Sequence, residues 1–199
     1  MATGRASKLS TRQGYYWHAL LLGDHSLARR LRSGALLDKK ALAAVLEGMF
    51  VVMVGWLRPD PLCPMEIHRF AERVTERIHA EHGVTADEVS RLIHRELGDA
   101  TGDADITPAH RVVAQLAVIT TALGGLGLMP GNIDRMISEA EGLVRQWGLD
   151  LPAYRPGFLL RWRFELAEAR WYGSSARNRW KVERAGAFVS WLDPGSSTP

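Results

Sequence analysis

Glu76-Arg-Ile-His79 places a carboxylate and an imidazole one helical turn apart, the spacing by which a helix can offer both to one metal ion, and His82 lies three residues further on. A dinuclear carboxylate bundle needs this unit twice. The residues three positions before His68, His94 and His110 are Met65, Arg91 and Thr107, so the second copy is missing, and a solvated charged helix produces one such match readily. Cys63, the only cysteine, sits between Pro61 and Pro64 at a helix start, where the dipole would lower its pKa, but no partner histidine is identifiable. The chain has no Walker-type glycine loop, no Gly-x-Ser-x-Gly and no His-Glu-x-x-His. No catalytic residue, metal or other cofactor is therefore assigned, and the reading leans away from an enzyme.

A denser constellation lies near the C-terminus. Arg161, Arg163, Arg170, Arg177, Arg179, Lys181 and Arg184 interleave with Trp162, Phe164, Trp171, Tyr172 and Trp180. Guanidinium groups neutralise phosphates and aromatic rings stack on bases, so this mixture could bind nucleic acid. Trp, Tyr and Arg are also the residues enriched at the anchors of protein interfaces. The candidate binding residues are thus Arg161, Arg163, Arg170, Trp171, Tyr172, Arg177, Arg179, Trp180, Lys181 and Arg184. Trp162 is read as part of the apolar core face, with Leu159, Leu166 and Ala169.

Residues 78–92 resemble a helix-turn-helix core, with Gly83 at the turn and Val89 and Leu92 inward on the second helix. His79 and His82 stand where small or apolar residues are usual, and Asp87 and Glu88 open the would-be recognition helix, facing phosphates unfavourably. An ordinary helical hairpin with a glycine cap and the capping box Thr85-Ala-Asp-Glu88 explains the same residues.

The elements that must position these residues are read as helices. Ala41 to Leu57 and Val112 to Met129 are almost entirely apolar, and they predict two buried central helices packed against each other. Glu47 is the only charge in the first; it must be paired or protonated if buried. Gly48 and Gly55 offer places for another helix to approach closely. Tyr15–Leu22 and a segment capped by Asp24 and running to Arg32 precede them, and Pro64 opens a helix reaching His82. Thr85 to Leu97 follows, and Gly98 to Ile106 reads as a loop. A helix from Gly131 or Asn132 to Gly148 buries Ile133, Met136 or Ile137, Ala140, and Leu143 or Val144. Phe158 to Tyr172 is amphipathic, and Arg179 to Leu192 fits either a short β-hairpin or a last helix. The fold class is all-α, a single-domain multi-helix bundle.

Residues 1–13 read as a flexible basic arm, 14–192 as the helical domain (core 14–150, basic aromatic extension 155–192), and 193–199 as a disordered tail. The net charge of +3 is unevenly spread. Residues 1–33 hold six basic side chains against Asp24, residues 34–154 eleven against seventeen acidic, and residues 155–184 eight against three. Basic ends either fold onto the acidic middle or meet an anionic partner. The single cysteine fits a reducing cytoplasm, and no continuous apolar stretch precedes Tyr15, so no secretory signal is expected. Spanning a membrane takes about 20 apolar residues, and Glu47 interrupts the first run, so burial is preferred to insertion. The expected function is non-enzymatic: a helical interaction or adaptor domain that binds a protein partner or self-associates, the alternative being a nucleic-acid-binding or regulatory protein that uses the basic C-terminal region.

Overall fold

A computed structural model describes residues 9–32, 38–57, 64–78, 82–98, 106–127 and 129–173. These residues form α1 (Arg12–Leu21), α2 (His25–Arg32), α3 (Lys39–Leu57), α4 (Pro64–Thr75), α5 (Ala86–Glu96), α6 (Pro108–Gly125), α7 (Pro130–Gln146) and α8 (Phe158–Gly173). The all-helical class is observed. Among the described residues the only β pairing is one antiparallel bridge between Thr11 and Ala153. Arg179–Leu192, read as hairpin or helix, lies outside them, as do Cys63, His79 and the stretch 99–105.

The helix starts follow from local chemistry. Thr11 accepts from the Gly14 amide, Asp24 from Leu27, Asp38 from Lys40 and Thr107 from His110, each covering an amide that has no partner inside its own helix. Thr85 and Glu88 form the expected capping box at α5. The helix opening at Pro64 ends at Thr75, short of the expected His82, and α7 begins at Pro130 with Asn132 accepting from the Met129 amide.

The described residues fall into two compact units: those up to Met49 together with those from Met129 on, and Phe50–Gly127. α3 is shared between them. It is also the one helix among the described residues long and apolar enough to cross a membrane, although Leu42, Val45, Leu46, Met49, Phe50 and Met53 are all buried within the fold. Glu47 on the same helix is half-buried.

In the second unit α4 packs on α5 and α6, and α5 on α6, around Ile67, Ala71, Val74, Val89, Leu92 and Val113. His110 Nδ1 lies 2.8 Å from Glu88 Oε1, tying α6 to the capping box of α5. Burial raises the Glu88 pKa, but the hydrogen bonds from His110 and Thr85 outweigh it and hold the carboxyl below its ordinary value.

In the first unit α1 packs on α2 and α7. Trp17 is wholly buried and donates from Nε1 to the Leu42 carbonyl at 3.1 Å. Gly48 approaches α7 so closely that an added Cβ would lie 3.0 Å from the Ala140 carbonyl oxygen, whereas Gly55 faces open space. The polar centre of this unit is Glu141, 1% exposed on α7. Its carboxylate accepts from Ser10 N (3.2 Å) and Ser10 Oγ (2.5 Å), and from Thr11 N (3.1 Å) and Thr11 Oγ1 (2.6 Å). Arg145 donates to the same Ser10 hydroxyl at 2.7 Å. Residues 9–13, assigned to a flexible arm by composition, are fixed into the fold: Leu9, Thr11 and Gln13 are buried.

Candidate functional site

Within the first unit α8 is held by one aromatic residue and one guanidinium. Phe164 is buried with its ring 5.1 Å from Tyr15 and 5.5 Å from His18, both on α1. Tyr15 also meets Tyr154 edge-on at 5.8 Å, and the Arg12 guanidinium lies 5.6 Å from the Tyr154 ring, so the segment leading into α8 is gripped too. Tyr154 N donates to the Ser10 carbonyl at 2.8 Å. On the other side of the helix Arg163 donates to Ser26 Oγ at 3.0 Å, and that hydroxyl donates to Asp24.

This anchoring fixes the rotation of α8, and it reverses the face expected from sequence. Phe164 and Ala167 point inward. Leu159 and Trp162, expected in the core, are 74% and 53% exposed, and Phe158 is 81% exposed. Residues 158, 159 and 162 fall on one side of a helix of 3.6 residues per turn, and Leu166, half-buried, continues that side. Trp162 and Leu166 also line an open groove with Asp24 and Arg163. Arg161 and Glu165 are exposed beside this face on the same helix, and Arg155 is exposed in the segment that leads into it.

Of the candidate binding residues, Arg161 is exposed, and Arg163 and Trp171 are half-buried. Arg170 and Tyr172 belong to the last turns of α8. Arg177, Arg179, Trp180, Lys181 and Arg184 lie outside the described residues. The structure thus brings the N-terminal members of the set to one helix and adds Phe158 and Leu159, which the sequence reading did not name as site residues.

Beneath the inner face of α8 lies a second polar cluster. His18, 1% exposed, places Nε2 at 3.1 Å from Asp134 Oδ1 on α7 and 3.7 Å from Glu168 Oε1 on α8. Neither ring nitrogen of His18 makes a hydrogen bond. Burial pushes the His18 pKa down to about 3, so the ring is neutral around pH 7 even with two carboxyl groups facing it. Burial and then the neighbouring Glu165 push the Glu168 pKa above its ordinary value. None of these three residues was singled out from sequence. The only signals were a lone histidine in the apolar stretch Tyr15–Leu22 and an aspartate directly beside the buried stripe of α7.

Comparison with protein-family models, curated proteins and solved structures finds no match to this chain. The site must therefore be read from its own chemistry.

Proposed function

We propose that this protein is a non-enzymatic helical interaction module that binds another protein through the outer face of α8. The observation that carries the proposal is the exposure of Phe158, Leu159 and Trp162 together on a helix whose opposite face is already anchored by Phe164. Covering such a side chain is worth about 1.5–3 kcal/mol, and large aromatic residues next to arginine are the usual anchors of binding energy. Three side chains cannot supply the ~800 Å² per partner of a stable interface. They serve as its centre, with the groove at Asp24 and Arg163 on one side and Arg155 and Arg161 at the rim. The complementary partner is a protein surface with an apolar groove edged by carboxylates. A cytoplasmic setting, and a bundle whose central helices are α3 and α6, belong to the same proposal.

The test is a photo-crosslinking amino acid placed at position 162 of the full chain, with position 135 on the exposed side of α7 as control. A discrete protein adduct from 162, absent from 135 and lost on Phe158→Asp, supports the proposal; an adduct of twice the chain mass identifies the partner as a second copy. Equal labelling from both positions, or none, contradicts it. Adducts with nucleic acid, together with binding that falls steeply with salt, would support the other reading, in which the arginines contact phosphates.

A further inference from the structure

We propose that His18, Asp134 and Glu168 form a binding site for one divalent first-row transition-metal ion. The three residues come from α1, α7 and α8, and their ligand atoms all lie within 4.8 Å of one another. For metal–ligand bonds of about 2.1 Å, the separations of 3.1 and 3.7 Å from His18 Nε2 to the two carboxylates correspond to ligand–metal–ligand angles of about 95° and 125°, which bracket the tetrahedral value. An ion that draws the two carboxylate oxygens to within about 4.2 Å of each other would have three protein ligands and an open position.

The independent sign of a ligand is His18 itself. A buried imidazole normally satisfies at least one nitrogen, by donating to a carbonyl or accepting from an amide. His18 is 1% exposed and satisfies neither, with Nε2 directed into a pair of carboxyl groups. A metal ion accepts the Nε2 lone pair, and two ionised carboxylates balance the charge of a dication without residue. Calcium and magnesium fit poorly: calcium takes six to eight oxygen ligands at 2.3–2.6 Å, and magnesium has little use for an imidazole. One nitrogen and two oxygens suit zinc, manganese(II) or iron(II). Access is provided from the α8 side, since the Glu168 side chain remains 35% exposed. The site differs from the Glu76/His79 pair considered from sequence, and it stands apart from the proposed protein interface, which uses the opposite face of α8.

Binding would also fasten the C-terminal half of α8 to α1 and α7 through Glu168. Metal occupancy should therefore raise thermal stability as well as register as binding.

The experiment takes the full chain, stripped with chelator, and titrates it with Zn²⁺ by calorimetry, alongside the Glu168→Gln, Asp134→Asn and His68→Ala variants. The expected result is one equivalent bound with micromolar or tighter affinity. Glu168→Gln and Asp134→Asn should each weaken binding at least tenfold, while His68→Ala, which removes an exposed surface histidine, leaves it unchanged. Circular dichroism of the metal-free Glu168→Gln variant should match wild type, and only wild type and His68→Ala should melt at higher temperature with Zn²⁺ present. X-ray absorption at the zinc edge should show nitrogen and oxygen neighbours, including one imidazole. No binding by the wild-type chain at 100 μM, or equal affinity in the two carboxylate variants, overturns the proposal.

Discussion

Replacing Glu141 with alanine removes the acceptor for four hydrogen bonds that hold Ser10 and Thr11 at the start of α1. The two Thr11 donors are buried, and leaving each without a partner costs about 1–3 kcal/mol. The Ser10 pair is part-buried, and its hydroxyl keeps the Arg145 guanidinium as a partner, so its loss should cost about 1 kcal/mol in all. Water entering the vacated space recovers a portion, and the expected loss is about 4 kcal/mol, a large share of the ~5–15 kcal/mol that stabilises a folded domain. Glu141→Gln keeps the shape but turns one oxygen into a donor facing donors, for about half that loss. Gly14→Ala probes the same contact from the other side, because its Cβ would stand 2.2 Å from Glu141 Oε1 and 3.1 Å from Ile137 Cγ2. The carboxylate must then leave its position. After allowing about 1 kcal/mol for the better helix propensity of alanine, we expect a net cost of about 2 kcal/mol. The two sites are coupled, so Gly14→Ala should cost less in the Glu141→Ala background by about 1 kcal/mol or more. Equilibrium urea unfolding with linear extrapolation reads all of these differences. Losses below about 1 kcal/mol for Glu141→Ala and Gly14→Ala, or strict additivity between them, would refute the claim that Glu141 organises this end of the fold.

Phe158→Asp and Trp162→Glu should change stability by less than about 0.5 kcal/mol, as exposed substitutions do; Phe164→Ala should cost about 3 kcal/mol or more, measured in the same urea series. Glu88, whose pKa is held below its ordinary value, adds stability that is present above the unfolded-state pKa near 4.5 and is lost as pH falls through the folded value. Wild type should therefore exceed Glu88→Gln by about 1 kcal/mol at pH 7, and the gap should close toward pH 3; a gap that stays constant would show that the charge plays no part. Hydrogen exchange should be slowest in the buried stretches of α3 and α6, and rapid exchange throughout either would contradict their role as core helices.

Helix existence was legible because capping chemistry is local: Thr85 with Glu88, Thr107 before Pro108, and Asp24 and Asp38 each mark a start that the structure reproduces. The inward stripes of α4, α5 and α7 were legible too, since Ile67, Val74, Val89, Leu92, Ile133 and Ala140 recur at helical spacing against charged opposite faces. α8 lacks that contrast between its faces. Apolar residues lie all around it, so spacing alone could not say whether Leu159 and Trp162 or Phe164 and Ala167 face inward. Only the tertiary fit of Phe164 against Tyr15 and His18 decides that. Glu47, the one charge in an apolar run, is only half-buried, whereas among the described residues the carboxylate that is fully buried is Glu141. It stands four residues after Ile137 and eight after Ile133, on the apolar stripe itself, and that was its available signal. The cluster sets His18 against two residues more than a hundred positions further along the chain, so no local spacing could announce it.

The outward orientation of the α8 apolar face is what the functional account rests on, and hydroxyl-radical footprinting of the free chain reads it side chain by side chain. We predict heavy oxidation of Phe158, Leu159 and Trp162, with Phe164 and Trp17 protected. Protection of Trp162 together with strong labelling of Phe164 would mean that α8 packs through the opposite face, and the proposed interface would then not exist.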